Sequence, residues 1–130
     1  MPDEANMEPH LQQFTPSDSS QFSLFLRIGE IWGLNAEQQI TLIGSPARST
    51  FFKWKKNGPS MSADTVERIS HLTAIFKDLG ILFDTPWAGD RWLRAPNKIF
   101  EGLSALDVML EGRLVDIIRV RQYLDAQRGG

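Results

Sequence analysis

Apolar residues recur along this chain at helical spacing, and no segment shows the sustained apolar–polar alternation of a strand. In residues 20–32, Phe25, Ile28 and Trp32 follow the stripe of a buried helix face. The longest apolar stripe, in residues 63–83, consists of Val66, Ile69, Thr73, Phe76, Gly80 and Phe83, widened by Leu72, Leu79 and Leu82. The pattern predicts an all-α fold.

Capping residues predict where the individual helices begin and end. Asn35 and Gln38 have the spacing of a capping box, and Gly44 follows as a stop. Ser45 and Pro46 predict the next start, with serine as the N-cap and proline in the first turn. Ser62, Thr85 and Ser104 predict three further N-caps. We therefore expect helices over about 20–32, 35–43, 46–57, 63–83, 86–94, 104–111 and 113–127.

The same signals suggest how the chain is divided. Residues 1–19 hold three prolines and few apolar residues, which predicts a flexible tail. Residues 20–84 predict a helix-turn-helix-like N-terminal half, and residues 85–130 a small helical C-terminal lobe. The lobe is rich in bulky residues (Trp87, Trp92, Phe100 and Tyr123); most of them suit a core, and the rest could form a partner face.

Composition excludes several kinds of chemistry. The chain has 130 residues and no cysteine, which excludes disulfides, thiolate zinc sites and a cysteine nucleophile. His10 and His71 are far apart, so no metal site is expected, and no cofactor motif is visible. No apolar run is long enough for a membrane span and no signal peptide is visible, which favours a cytoplasmic protein with no membrane partner. The carboxylates Asp84, Asp90, Asp107 and Glu111 fit caps and surface charge, so we expect a protein that is not an enzyme.

Residues 35–57 have the parts of a DNA-binding helix-turn-helix. The second helix of this unit carries small polar and basic residues suited to base edges and phosphates: Arg48, Ser49, Thr50, Lys53, Lys55 and Lys56. The alternative is a helical hairpin with a solvated basic face. Phe51, Phe52 and Trp54 are expected in the core rather than as stacking platforms.

Two stretches of the C-terminal half carry a family resemblance. Trp92-Leu93-Arg94-Ala95-Pro96-Asn97 is similar to a Trp-Leu-x-x-Pro-Asn motif, and the stretch from Gly102 to Asp107 is similar to a Gly-x-x-Pro-x-Asp turn, with Ala105 in place of proline. Gly112 and a final amphipathic helix follow in the same order. These motifs resemble the Xre/MbcA/ParS antitoxin family, over about residues 34–130.

The resemblance implies a type II antitoxin whose C-terminal lobe is a toxin-binding domain. Its partner would be a RES-domain toxin that consumes NAD or ADP-ribosylates a target, neutralised by covering its active site. It further implies a homodimer that represses its own operon by binding operator DNA. On this basis the residues expected to contact or shape the toxin site are Trp92, Arg94, Asn97, Arg113, Arg121, Arg128 and Gly130. The alternative is a stand-alone helix-turn-helix transcriptional regulator.

Overall fold

The computed structural model describes residues 16–129, with side-chain surroundings for residues 18–129. The helices are α1 (Pro16–Ile31), α2 (Ala36–Leu42), α3 (Arg48–Asn57), α4 (Ala63–Leu82), α5 (Pro86–Arg94), α6 (Ala105–Met109) and α7 (Leu114–Gly129). A 3₁₀ turn, Lys98–Phe100, lies between α5 and α6. Within these residues the only extended pairing is an isolated bridge between Pro96 and Ser104. The predicted all-α fold is confirmed.

The predicted capping residues hold the starts of four helices. At α2, Asn35 Oδ1 accepts from the backbone N–H of Gln38 at 2.8 Å, and Gln38 Oε1 accepts from the N–H of Asn35 at 2.9 Å. Ser62, Thr85 and Ser104 each accept a hydrogen bond from the backbone N–H three positions further on, at α4, α5 and α6. These bonds satisfy N–H groups that a helix start leaves without partners.

The start of α3 differs from the prediction that Ser45 is its N-cap. Ser45 has a left-handed φ of 59°, and its N–H donates to the carbonyl of Ile40 at 2.9 Å. It therefore takes part in closing α2 and is not free to cap the next helix. Helix α3 begins at Arg48, after Ala47, which makes no side-chain cap.

Helix α1 begins earlier than predicted. It starts at Pro16 rather than at residue 20, so residues 16–19 are helical and not part of a tail. Proline suits a first helical turn, where its missing N–H breaks no hydrogen bond. The rest of the predicted tail, residues 1–15, lies outside the described residues.

Helix α4 is the central element and packs against α1, α5 and α7. Ile69, Leu72 and Ile75 are fully buried along it, whereas Thr73 and Phe76 are half-buried and Gly80, another member of the predicted stripe, is exposed. The buried line is rotated from that stripe because helices cover α4 from two sides. The boundary between residues 84 and 85 stays a prediction, and α4 packs against α7 across it.

The aromatic residues of α3 are divided between core and surface. Phe51 and Trp54 are buried, and each ring meets Phe22 of α1 edge-on, with centroids at 6.0 and 5.8 Å. Phe52 is exposed, contrary to the expectation that it lies in the core. The two buried rings anchor α3 on α1 and leave its opposite face to solvent.

A buried arginine connects α4 to the turn before α7. The Arg68 guanidinium donates to the carbonyl of Gly112 at 2.9 Å and to the carboxylate of Asp64 at 2.9 Å. Arg68 is buried, so these bonds compensate for the loss of hydration of its charge. The contact fixes the start of α7 relative to the N-terminal half of α4.

Candidate functional site

The C-terminal lobe is organised around an aromatic stack. The rings of Trp92 in α5 and Tyr123 in α7 are stacked, with centroids at 6.1 Å and an interplanar angle of 5°. Tyr123 also meets the buried ring of Phe100 edge-on at 6.0 Å. Trp92 is half-buried, so most of its contribution here is to hold α5 against α7.

Asn97 builds the turn that follows α5. Its Oδ1 accepts from the N–H of Ile99 at 3.0 Å, and its own N–H donates to the carbonyl of Leu103 at 3.1 Å. Its carbonyl accepts from Gly102, which has a positive φ of 92°. The side chain and backbone of Asn97 thus set the path of the loop between α5 and α6.

Arg94 joins the lobe to the end of α1. Its guanidinium donates to the carbonyl of Trp32 and also to the carboxylate of Asp90, at 3.3 Å for the latter. Trp32 directly follows the last residue of α1, and the carbonyl groups at the end of a helix have no intrahelical partners. Arg94 therefore has a structural role in the free chain.

Among the predicted contact arginines, Arg113 has the most exposed side chain. Its side chain is 70% exposed and forms two hydrogen bonds, at 2.9 and 3.0 Å, with the buried carboxylate of Asp116. These bonds raise the pKa of Arg113 above its ordinary value. The fork fixes the guanidinium at the surface beside the first turn of α7.

Arg121 and Arg128 are brought together by a cluster of acidic side chains between α4 and α7. Asp78 of α4 is 1% exposed, and its Oδ1 accepts from Arg128 at 3.1 Å. Arg121 pairs with Asp125 at 3.3 Å. Among the described residues, no donor reaches Asp78 Oδ2. Burial, followed by the neighbouring Asp125 carboxyl, raises the pKa of Asp78 to about 6.

Burial, hydrogen bonding and charge move the pKa values of the two carboxyl groups in opposite directions. The pKa of Asp125 is lowered by hydrogen bonding with Asp78 and by the nearby Arg121 and Arg128. Asp78 is therefore the carboxyl group that takes up a proton first as the pH falls. Sequence reasoning missed this pair, although an aspartate between Ile75 and Leu79, on the buried side of α4, is a recognisable signal.

His71 of α4 also contacts Arg121. Its Nδ1 lies 2.9 Å from Arg121 Nη1, and its Nε2 lies 3.3 Å from a carboxylate oxygen of Glu67. A guanidinium only donates, so Nδ1 accepts and the ring proton lies on Nε2, facing Glu67. His71 is half-buried and paired, in agreement with its predicted position at a helix edge.

The predicted DNA-contacting residues lie mostly on the exposed side of α3. Ser49, Lys53 and Lys56 are exposed, and Thr50 is half-buried. Arg48 is exposed and pairs with Glu37 of α2, and its guanidinium lies 4.9 Å over the ring of Phe52. Lys55 lies 5.3 Å from the same ring. The face is therefore basic, with aromatic support.

Two kinds of feature are absent among the described residues. In the part of the chain that the structure describes, no group of three or more His, Asp or Glu side chains could hold a metal ion. No helix of that part is both long and apolar enough to cross a membrane. Gly130, the last predicted contact residue, lies outside the described residues.

The C-terminal part of the chain is similar to a known domain. Residues 71–130 match the model of the antitoxin Xre/MbcA/ParS C-terminal toxin-binding domain. The chain is also 56% identical over 127 residues to "Uncharacterized protein y4oB" of Sinorhizobium fredii (strain NBRC 101917 / NGR234), which covers 95% of this chain and 98% of that protein. The match to the toxin-binding domain begins inside α4, so it includes the acidic cluster and the aromatic stack. The chain therefore belongs to one family with y4oB, and its residues 71–130 are similar to the C-terminal toxin-binding domain of the Xre/MbcA/ParS antitoxins.

Proposed function

We propose that this chain is the antitoxin of a two-gene module, and that it neutralises a RES-domain toxin by covering the toxin's NAD-consuming active site. The observation that carries the proposal is the match of residues 71–130 to a toxin-binding domain. The assignment of a RES-type toxin rests on the resemblance of the motifs between Trp92 and Asp107 to those of this family. The chain acts by binding and carries out no reaction itself.

The surface of the lobe supports a partner-binding role. Trp87 and Val115 are each 60% exposed, and Ile99 and Leu103 are also exposed. The guanidinium of Arg91 lies 4.6 Å over the Trp87 ring. Exposed tryptophan and arginine are the side chains that most often dominate binding energy at protein interfaces. We add Trp87 and Arg91 to the candidate toxin contacts.

The predicted contact residues then divide into two roles. Arg113 is exposed and available to a partner. Trp92, Arg94, Asn97, Arg121 and Arg128 make the intramolecular contacts described above, so in this proposal they shape the binding surface more than they touch the toxin. The end of α7 at Gly129, with Gly130 beyond it, remains the proposed segment that enters the toxin pocket.

Co-expression tests the proposal directly. The reading frame beside this chain's gene is induced alone and together with this chain, while growth and cellular NAD are followed. We expect growth arrest and loss of NAD with the neighbour alone, and restoration of both when this chain is present. A harmless neighbour, or a toxic neighbour that this chain does not neutralise, would contradict the antitoxin assignment.

A second function, operator binding by a homodimer, is supported by the face of α3. Residues 45–56 contain four basic residues and no acidic residue, and Lys53 and Lys56 are exposed without an ion pair among the described residues. Such a face suits phosphate contacts. This activity is compatible with toxin binding, because the two surfaces lie on different helices, and it would allow autorepression.

A further inference from the structure

A groove opens where the end of α1 meets the second half of α4 and the start of α5. Its volume is about 510 Å³. Most of its walls are apolar, and its principal lining residues are Ile31, Trp32, Phe76, Gly80, Phe83 and Pro86. The last four of these lie within the matched region 71–130, so the groove is continuous with the toxin-binding domain.

Gly80 at the groove is not explained by the fold of the free chain. A glycine inside a helix destabilises it by about 1 kcal/mol relative to alanine. Gly80 is not among the glycines with positive φ, and a Cβ placed on it would meet nothing within 4 Å. By contrast, a Cβ on Gly89 would lie 3.4 Å from the Leu79 side chain, so close packing of α5 on α4 accounts for that glycine.

The open space above Gly80 therefore points to a molecule outside this chain. Glycine is used where another group must approach the backbone closely. The helix surface here is apolar, which favours an aliphatic or aromatic side chain over a polar one. Neither internal packing nor backbone conformation gives a competing reason for the missing side chain.

The charge at the groove further defines its occupant. Asp84 lines the groove and is exposed, and it makes no ion pair with any residue from 18 to 129. Asp90 also lines the groove but is paired with Arg94 at 3.3 Å. Lys77 lines the groove as well and is exposed, so the groove carries one basic and two acidic side chains around an apolar wall. The unpaired carboxylate of Asp84 is complementary to a segment that carries a Lys or Arg next to a large apolar residue.

We propose that this groove receives an apolar side chain of the cognate toxin, next to a basic toxin residue that pairs with Asp84. The inference rests on the proposed function, because it names where on this chain that toxin docks. It places part of the interface on α4. The toxin is chosen over other occupants because the groove belongs largely to the toxin-binding domain.

Gly80→Trp tests the groove with little risk to the fold. The variant adds a large side chain at the groove, at a position where an added Cβ meets no atom within 4 Å. Gly80→Ala is the smaller step, since it adds one methyl group. The dissociation constant is measured by calorimetry with the purified toxin encoded beside this chain's gene. Circular dichroism and thermal melting show that both variants are folded.

We expect Gly80→Ala to bind about threefold more weakly than the wild type, because its methyl group limits close approach to the backbone, and Gly80→Trp to bind at least about tenfold more weakly. Asp84→Lys is expected to weaken binding by about threefold or more, and Asp84→Asn by less. Equal binding by Gly80→Trp and the wild type would overturn the groove proposal while leaving the antitoxin assignment intact. A wild-type chain that does not bind the toxin would overturn both.

Sedimentation of the chain alone separates the toxin from a second copy as the occupant. We expect Gly80→Trp to have the same oligomeric state as the wild type. A wild-type dimer that Gly80→Trp converts to a monomer, with toxin affinity unchanged, would assign the groove to self-association and overturn the proposal.

Discussion

Arg128, at the end of α7, donates a hydrogen bond to the buried carboxylate of Asp78 in α4 at 3.1 Å. The contact fixes the last turn of α7 to the central helix. An arginine that the sequence assigned to toxin binding therefore also holds the C-terminal helix in place. Experiments on the C-terminus have to separate these two roles.

Two truncations make that separation. Removal of residues 129–130 leaves the pair of Arg128 and Asp78 in place, so we expect unchanged stability and weaker neutralisation of the toxin. Removal of residues 128–130 also takes away the arginine that pairs with the buried Asp78 carboxylate, which is expected to lower the free energy of unfolding by about 1–3 kcal/mol. Both are measured by urea denaturation and by rescue of growth. Full rescue after removal of 129–130 would contradict insertion of the tail into the toxin.

Asp78→Asn is expected to change how stability depends on pH. The pKa of Asp78 is raised from 3.8 to about 6 in the folded chain. The folded state therefore binds more protons than the unfolded state between these values, and wild-type stability falls as pH rises from about 4 through 6. Asparagine does not ionise, and it can accept from Arg128 while donating to Asp125.

We therefore expect Asp78→Asn to be more stable than the wild type at about pH 7, with the difference disappearing near pH 4. Urea midpoints at several pH values measure this, with Asp84→Asn as an exposed control. The lowered pKa of Asp125 acts below about pH 4, outside this window. A constant difference between Asp78→Asn and the wild type across the range would refute the raised pKa of Asp78.

Substitution by alanine is expected to affect stability at one tryptophan of α5 and toxin binding at the other. Trp92 is stacked on Tyr123, so Trp92→Ala is expected to lower the free energy of unfolding by about 2–4 kcal/mol. Trp87 is largely exposed, so Trp87→Ala is expected to change it by less than about 1 kcal/mol while weakening toxin binding. Denaturation and toxin titration of both variants check this. A stable Trp92→Ala that fails to bind would instead make Trp92 a direct contact.

DNA binding through α3 is expected to depend steeply on salt. Affinity for a duplex from upstream of the gene should fall as salt rises, because lysines displace counterions from phosphates. Lys53→Ala and Lys56→Ala should each reduce the slope of log affinity against log salt by about one. Lys98→Ala, in the lobe, is the control. No binding at low salt would reject the operator-binding function.

Local signals made much of the fold predictable. Asn35 with Gln38, and Ser62, Thr85 and Ser104, each act within one helical turn, so their roles could be predicted from adjacent residues. Ser45 was predicted wrongly because two local roles compete there. Ser45 closes α2 through its backbone, whereas the Ser-Pro motif predicts that the same residue caps α3.

Features that depend on distant residues could not be predicted. Asp78 meets Arg128 and Asp125 only after α4 and α7 pack together, and no pattern within either helix specifies that pairing. Gly80 fits the apolar spacing of α4, yet it lies at an open groove between the end of α1 and the start of α5. Which helices cover a given face is decided by tertiary packing.

The bond from Arg68 to Gly112 has a consequence for the lifetime of the chain. Because α4 packs against both α1 and α7 and Arg68 holds the turn before α7, we expect the two halves to unfold as one cooperative unit. A partner that binds only the folded form of residues 71–130 then stabilises α2 and α3 as well, by mass action. Proteases would spare the complex and remove the free chain, so the supply of toxin would set how much of the basic α3 surface persists in the cell.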